Sequence, residues 1–409
     1  MRTALFLSLL SLVSPGVGQA QDPAPQEETT ETETRPGEGI DSKIPWATNI
    51  IDVFDKPLHP VIGGVVSGGG LGAGIGYDSP DGQRWYQSAD AIMTVRRYWA
   101  ARGEAGRNFQ HKRSQVGVFG GVRHMERLDF FGIGPGSSVD NRTAFRLRES
   151  TAGIRAAHFL TPVLRLGGSA AAYVPDLGAG NHPGIPAVDT VFAVAEVPGI
   201  GAQPTFARYR AFAELVYPAV SDIRNPVPSE RYQGTYQLAF ESIQDRDTGL
   251  HSFHRWETEL QQRIPGIAPG HRLTLHGFLA ATEQGADVPF YLLYPLGGSG
   301  GLKAFRPDLM GSDDTRATLR AYRNYRFRDR NLVLMQAEYR IPILKSVQAT
   351  VFAEGGQVAP SVSSLFSDLK GDAGFSLAYV RKGKSLGRMD VAFGGEGMRV
   401  FWSFGSFTD

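Results

Sequence analysis

The sequence contains no cysteine in its 409 residues. This absence excludes disulfide-stabilised scaffolds, thiolate zinc sites and cysteine nucleophiles. The chain also carries almost no net charge, because 42 basic and 41 acidic side chains leave a formal charge of +1. A nucleic-acid partner bound through bulk positive charge is therefore excluded. After the first twenty residues no apolar run approaches the eighteen needed for a membrane-spanning helix, so an exported chain would be either soluble or a β-barrel.

Glycine and aromatic residues are abundant. There are 50 glycines, together with 24 Phe, 14 Tyr and 5 Trp, and a low-complexity disordered chain would not carry so many rings. An apolar content of 42% is low for a helical membrane protein. It suits a closed sheet, whose wall needs an apolar side chain only at every second position.

The N-terminus has the pattern of an export signal. Arg2 precedes the apolar residues 4–13, and Gly18-Gln19-Ala20 forms a small-x-small cleavage site. We expect residues 1–20 to be a signal peptide and Gln21 to be the mature N-terminus. Residues 21–45 are acidic and rich in Thr, Glu and Pro, which predicts a disordered tail. Residues 46–54 suit either an amphipathic helical piece or a simple lead-in to the first strand, and residues 46–409 are expected to form the barrel.

The remaining chain alternates with period 2. In 331–341, Val333, Met335 and Ala337 fall on one face, while Glu338 and Arg340 fall on the other. The same contrast of an apolar face with an ionic face recurs in 206–217, 254–263, 347–356 and 387–394.

Alternation alone is also typical of a soluble sandwich or propeller. The density of charge on the polar face and the aromatic residues near predicted strand ends favour a lipid-facing wall around a hydrated lumen. Those aromatic residues are Trp85, Tyr86, Tyr98, Trp99, Tyr217, Tyr339 and Trp402. The predicted fold class is therefore all-β, a transmembrane antiparallel β-barrel in the bacterial outer membrane.

The alternating segments give a strand count of fourteen or sixteen. They are 60–77, 85–101, 114–124, 143–160, 163–174, 190–197, 204–217, 231–243, 252–264, 271–282, 331–342, 347–357, 372–381 and 387–407. The last is a hairpin that turns at 394–397. An even number is expected of a bacterial single-chain barrel, which leaves both counts open. Residues 283–330 lack clean alternation and are too long for an idle connection, so they form a candidate functional loop.

The second half of this loop is basic. Eight basic residues (Lys303, Arg306, Arg316, Arg320, Arg323, Arg326, Arg328 and Arg330) face four acidic ones (Asp308, Asp313, Asp314 and Asp329). Such a segment needs anionic neighbours, and the following strands offer Glu338 and Glu354 on their inward faces.

From about residue 289 to 407 the sequence resembles the bacterial surface-antigen barrel family, the superfamily of outer-membrane assembly factors and two-partner-secretion transporters. Leu296-Gly297-Gly298-Ser299 resembles its glycine-rich lead-in, and Leu319-Arg320-Ala321-Tyr322 resembles its loop tip. Glu338, and Glu354 within the phrase Phe352-Ala353-Glu354-Gly355-Gly356, match the acidic wall positions. The resemblance implies a loop folded into the barrel, a tip arginine held by Glu338 or Glu354, and five strands after the loop. The alternative is that Arg320 belongs to a shifting network of lumen arginines.

Three departures from the family pattern matter. Ala321 replaces the tip glycine, which puts the close turn that glycine permits in question. A second, imperfect copy of the tip runs from Leu302 to Arg306. Arg320 is favoured because the phrase 325–331 follows it directly. Periplasmic repeat domains are expected to be absent, because only about forty residues separate the cleavage site from the first strand.

The resemblance implies a role in outer-membrane protein assembly or translocation, without catalysis. The alternatives are a passive pore or structural barrel with a plugging loop, and a lipid-modifying barrel enzyme, for which no spacing selects a Ser/His pair. Expected partners are outer-membrane lipid and a periplasmic or outer-membrane protein cargo or helper, with no nucleic acid. No nucleotide cofactor is expected, because the glycine runs 68–76 and 297–301 lack the Lys-Ser/Thr of a phosphate loop. No metal is expected, because His251 and His254 have no third ligand cluster and the sequence has no His-Glu-x-x-His.

Overall fold

The computed structural model describes residues 56–66, 68–80, 84–109, 113–218, 232–298, 319–381 and 384–408. The predicted signal peptide, the acidic tail and the second copy of the tip at 302–306 lie outside the described residues. No helix among the described residues is long and apolar enough to cross a membrane.

Sixteen antiparallel strands form one continuous sheet, and two further short strands pair separately. The strands of the large sheet are β1 (Leu58–Gly63), β2 (Gly72–Asp78), β3 (Trp85–Thr94), β4 (Trp99–Phe109), β5 (Ser114–Phe130), β6 (Thr143–Phe159), β7 (Leu164–Ala179), β8 (Phe206–Tyr217), β9 (Gln233–Asp245), β10 (Phe253–Pro265), β11 (Arg272–Thr282), β14 (Asn331–Leu344), β15 (Val347–Ala359), β16 (Lys370–Arg381), β17 (Lys384–Gly394) and β18 (Gly397–Thr408). The small pair is β12 (Tyr294–Leu296) and β13 (Phe327–Asp329). The all-β barrel is confirmed, and the count is the higher of the two predicted. Five strands follow the loop, as expected.

Short helices occur only in the connections of the described chain. They are the one-turn α-helix Val188–Val191 and the 3-10 turns Val139–Asn141, Phe290–Leu292 and Val362–Ser364.

Three predicted segments were wrong. Segment 60–77 is two strands, because Gly68 and Gly70 have φ of 80° and 82° and form a turn within it. Segment 85–101 is also two strands, turned by Arg97 at φ 64°, a position without the usual glycine or asparagine signal. Segment 190–197 is not a strand: its first two residues end the one-turn helix and the rest form turns. Val197 packs into an interior apolar cluster.

The alternation predicted from the sequence sorts the side chains as expected. Large apolar residues are exposed on the outer surface, for example Met335 at 44%, Val351 at 50% and Trp256 at 52%, while Glu338 and Arg255 on the inner faces of the same wall are buried. An apolar exterior around an ionic interior is the pattern of a membrane barrel. Tyr98, predicted at the membrane interface, instead lies in the interior and donates to the carbonyl of Arg127.

The two ends of the barrel differ in the length of their connections. At one end, here called the turn end, β14 and β15 are joined by two residues, and β6 and β7 by four. At the other, here called the loop end, the connections include 131–142, 180–205 and 283–330. Short turns face the periplasm in bacterial barrels and long loops face outward. The loop-end interior is filled by an apolar cluster in which the Phe290 ring lies 4.9 Å from Phe145 and 5.2 Å from Phe130.

The sheet is not closed by a hydrogen-bonded ladder among the described residues. β1 and β18 are the two ends of the strand order, and they lie beside each other in space. We call this boundary between β1 and β18 the seam.

Candidate functional site: the inward loop

The long connection between β11 and β14 folds back into the barrel as a small hairpin. Tyr294 pairs with Asp329, and Leu296 pairs with Phe327. Leu296 and Phe327 are buried in an apolar cluster with the wall residues Phe278 and Phe352. The burial of this hairpin places the described parts of the loop in the interior, where the sequence resemblance expected it.

The glycines of the lead-in lie against the predicted tip. Gly297 and Gly298 have φ of 106° and 128°, a conformation that favours glycine. The N–H of Gly298 donates to the carbonyl of Leu319 at 3.2 Å, and the N–H of Tyr325 donates to the carbonyl of Gly297 at 2.9 Å. A β-carbon at Gly297 would lie 2.5 Å from the carbonyl oxygen of Arg323. The turn therefore requires glycine where the sequence has it.

Arg320 points its guanidinium at the wall formed by the last strands. Its Nη2 donates to Oε1 of Glu338, and its Nε lies 3.2 Å from Oε1 of Glu354. The guanidinium carbon stands 4.0 Å from the centre of the Phe352 ring, a cation–π contact. The side chain is only 2% exposed. Both carboxylates that the sequence nominated therefore meet Arg320, one on β14 and one on β15.

The backbone of the tip is held as well as its side chain. The N–H of Arg320 donates to Oε2 of Glu354 at 2.9 Å, and the N–H of Ala321 donates to Oδ2 of Asp372 at 2.8 Å. Charge-assisted bonds of this kind are stronger than bonds between neutral groups. Glu354 is further fixed by the amide of Gln336 at 2.7 Å.

Three further residues that surround the loop tip were not nominated from the sequence: Asp372, Asp390 and Arg388. Oδ1 of Asp390 lies 3.5 Å from Nη1 of Arg320, and Nη2 of Arg388 lies 3.3 Å from Oε1 of Glu338. Four carboxylates on β14 to β17 therefore surround two guanidiniums. Alternation had placed Arg388 and Asp390 on an inward face, but sequence alone did not fix the strand pairing that brings them beside Glu338.

The remaining nominated residues differ in their contacts. The ring of Tyr322 packs on Phe327 with centres 5.5 Å apart, and its carbonyl accepts from Arg399. A β-carbon at Gly355 would meet its nearest neighbour only at 3.9 Å, which is ordinary contact. At Gly356 it would lie 2.8 Å from the carbonyl of Val333 and 3.3 Å from the Leu296 side chain. The hairpin therefore packs closely over Gly356.

The base of the hairpin contacts β10, which is separated from β14 by one strand. The hydroxyl of Tyr294 donates to Oε1 of Glu257 at 2.9 Å, and the Arg255 guanidinium lies 5.0 Å from the Tyr294 ring centre. Arg255 also donates from Nε to Glu241 at 2.6 Å. The inward loop is thus anchored on β10 as well as on β14 to β17.

A third anchor joins the loop to the β5–β6 connection. Arg326 donates to the hydroxyl and to the carbonyl of Ser137 at 2.9 and 2.7 Å, and it pairs with Glu396 in the β17–β18 turn. The N–H of Gly134 donates to the carbonyl of Arg328 at 2.8 Å. Asp329, at the end of the hairpin, is buried, and this desolvation raises the pKa of its carboxyl to about 6.

Possible metal-binding and Ser–His groups were sought among the described residues. These residues contain no cluster of three His, Asp or Glu side chains suited to a metal ion. Ser114 and His158 form one Ser–His hydrogen bond, 2.8 Å from Oγ to Nδ1, near the turn end. No hydrogen bond among the described residues links His158 to a carboxylate that would orient it, so the pair lacks the third member of a triad.

Similar folds are found among solved outer-membrane barrels, while no family model and no curated protein matches the sequence. CdiB from Escherichia coli superposes with a TM-score of 0.57 at 10% identity, covering 86% of this chain and 63% of its own. CdiB from Acinetobacter baumannii gives 0.53 at 8% identity, with 86% and 59% covered. BamA from Haemophilus ducreyi lacking POTRA domains 1-3 gives 0.53 at 14% identity, with 85% and 69% covered.

The chain therefore spans about three fifths of the length of the two CdiB structures. At these identities the likeness concerns the fold: this chain has a sixteen-stranded barrel of the same architecture. That architecture and the apolar outer surface agree with the outer-membrane location expected from the sequence.

Proposed function

We propose that this protein is an outer-membrane barrel that assists the insertion or passage of polypeptide at the outer membrane, without catalysing a reaction. The observation that carries the proposal is the seam. A closed barrel satisfies every backbone N–H and C=O in the wall, whereas β1 and β18 meet without a ladder among the described residues. An unpaired strand edge can pair with an incoming strand.

The length of the first strands supports this role. β1 has six residues and β2 has seven, fewer than the 9–11 or so of a typical membrane-crossing strand. β18 has twelve, so much of its edge faces no residue of β1. The wall is therefore weakest where an incoming strand would have to enter.

The inward loop supports the same role by stiffening the strands on the β18 side of the seam. Its tip is bonded to β14, β15, β16 and β17, and its base contacts β10. These strands are cross-linked from within, whereas no such bond joins β1 to β18 among the described residues. Opening would then be confined to the seam.

The absence of native cysteine allows a direct test. Ile62→Cys on β1 would be combined in turn with a cysteine at each position from 398 to 402 on β18, and the pairs oxidised in proteoliposomes. Insertion of an unfolded β-barrel client, followed as its folded band on a semi-native gel, should stop on oxidation and return on reduction. A matched control is Val351→Cys with Phe375→Cys, register partners on β15 and β16, whose oxidation should leave insertion unchanged.

Client insertion that continues with the seam locked, or that never exceeds the rate in empty vesicles, would refute the proposal. Cargo is expected to be a polypeptide, and a periplasmic or outer-membrane protein that delivers it would be captured by crosslinking in cells.

A second candidate is a structural or passive barrel closed by its loops. The apolar cluster that fills the loop-end interior favours it, because this cluster unites buried residues of four connections (β1–β2, β3–β4, β7–β8 and β11–β14) with the wall. Planar-bilayer conductance together with the insertion assay separates the two. A structural barrel would show no client insertion in any redox state.

A further inference from the structure

A polar cavity of about 430 Å³ lies at the loop end beside the seam. It is lined by the β3–β4 turn, the end of β5, the β17–β18 turn and start of β18, and the described tip of the inward loop. A volume of this size is in the range of small-ligand sites. The barrel fold and the proposed function leave it without a role.

Arginine dominates the lining. Five arginines (Arg96, Arg127, Arg142, Arg323 and Arg399) and His182 face the cavity, against the two carboxylates Asp129 and Glu396. Both carboxylates already have partners. Asp129 accepts two bonds from Arg142, at 2.9 and 3.1 Å, and Glu396 pairs with Arg326, which is not part of the lining.

Four guanidiniums therefore remain without an ion pair to any described carboxylate. Arg96 is positioned by a 2.7 Å bond to the carbonyl of Gly68, and Arg399 by a bond to the carbonyl of Tyr322. Neutral carbonyls fix these side chains without cancelling their charge. Arg127 and Arg323 make no side-chain hydrogen bond or ion pair within the described chain, which leaves their donors available.

The chemistry of this lining selects phosphate. Guanidinium presents forked N–H donors that match the oxygens of phosphate, and several arginines around one cavity stabilise more than a single negative charge. A lone carboxylate would neutralise only one of the four. Asn324 also lines the cavity, and its side-chain oxygen is buried without a donor among the described residues. A hydroxyl next to the phosphate, as on a phosphorylated sugar, would supply that donor.

We propose that this cavity is a binding site for a phosphate-bearing ligand, either the phosphorylated headgroup of an outer-leaflet glycolipid or a free phosphate compound. Its position at the outward-facing end of the barrel gives access to both sources. Arg399 also donates to the carbonyl of Tyr322 in the loop tip, whereas Arg127 and Arg323 make no side-chain bond to the tip within the described chain. The site can therefore be tested at these two arginines separately from the proposed insertion activity.

Titration calorimetry on the full chain in zwitterionic detergent at low salt would test the site, with inorganic pyrophosphate as the probe. Arg127→Gln and Arg323→Gln should each weaken binding by about tenfold, as expected for the loss of one charge-assisted contact. Arg246→Gln, an exposed arginine in the β9–β10 connection at the same end of the barrel, should bind as the wild type does. Heat-modifiability on a semi-native gel verifies that each variant folds.

The two sources are separated by competition. Diphosphorylated lipid A that displaces pyrophosphate, when the same lipid without phosphates does not, identifies a headgroup site. Pyrophosphate binding without such displacement identifies a site for free phosphate compounds. The proposal is overturned if the wild type does not bind pyrophosphate, or if folded Arg127→Gln and Arg323→Gln variants bind as tightly as Arg246→Gln.

Discussion

The methyl group of Ala321 lies against the backbone of Gly394, where a β-carbon at position 394 would sit only 2.7 Å from that of Ala321. The resembling family has a glycine at the tip, and the alanine here put the close turn in question. Ala321 is not among the described residues with positive φ, so its turn does not require glycine. The residue that has to be glycine for this close contact is instead Gly394, on the wall.

This relationship predicts a rescue. Gly394→Ala should destabilise the folded barrel by about 1–3 kcal/mol, because it overpacks a tight contact. Ala321→Gly in the same chain should restore part of that loss; the restoration is partial because a β-carbon at 394 would also lie 3.0 Å from that of Asp372. Urea midpoints on semi-native gels measure both effects. No recovery in the double variant would show that the two positions are not coupled.

Replacing Arg320 should loosen the loop. Arg320→Ala leaves Glu338 and Glu354 buried without the guanidinium that pairs with them. Breaking a buried ion pair costs about 3–5 kcal/mol. Arg320→Lys keeps the charge but loses the fork, so its stability should fall between that of Arg320→Ala and the wild type. The folded fraction that resists heat on a semi-native gel gives the order. Arg246→Ala serves as the exposed control, and equal fractions for all four proteins would rule out a clamp at Arg320.

The second anchor should act independently of the first. Tyr294→Phe removes the bond to Glu257 and should cost about 1.5–3 kcal/mol, the range for hydrogen bonds to charged groups. Because Tyr294 contacts β10 while Arg320 contacts β14 to β17, the losses in the double variant with Arg320→Ala should add within about 0.5 kcal/mol. Unfolding midpoints of the four proteins in the cycle test this. Strong non-additivity would mean that the hairpin transmits strain between its ends.

Stability should depend on pH through Asp329. Its folded-state pKa of about 6 lies above the ordinary value of 3.8, so between these values the folded state binds more protons than the unfolded state. The contribution of this group to stability is therefore full below pH 4 and is lost as pH rises through 6.

Asp329→Asn removes this titration and provides the reference. The difference in unfolding free energy between wild type and variant should shift against the wild type by about 1–3 kcal/mol from pH 4 to 7 and then stay constant, from the shift of about two pKa units. Urea titrations at a series of pH values measure it. A difference that is flat across this range would place the carboxyl in contact with solvent.

Much of the wall followed from the sequence because alternation is a local property. The alternation of neighbouring residues is enough to assign Val351 and Glu354 to opposite faces of the wall. The glycines at 394–397 are enough to place the turn within 387–407. Errors arose where the local signal was weak or misleading. The turn at Arg97 has no glycine, and 190–197 alternates but forms the end of the one-turn helix and a series of turns.

Local pattern and a loop motif were enough to nominate Arg320, Glu338 and Glu354, because each lies in a short recognisable phrase. Asp372, Asp390 and Gly394 became part of the site only through strand register, which depends on pairing between segments distant in sequence.

The sequence by itself determined the barrel class and the two chemical faces of the wall, because these depend on period and composition within short windows, while the resemblance of short phrases to a known family indicated the inward loop. Only the tertiary structure decided that β1 and β18 meet without a ladder, that four carboxylates surround the tip, and that four arginines converge on one cavity. The physical reason is that each of these arrangements brings together side chains from several strands, and their distances are set by the closure of the sheet around the folded loop.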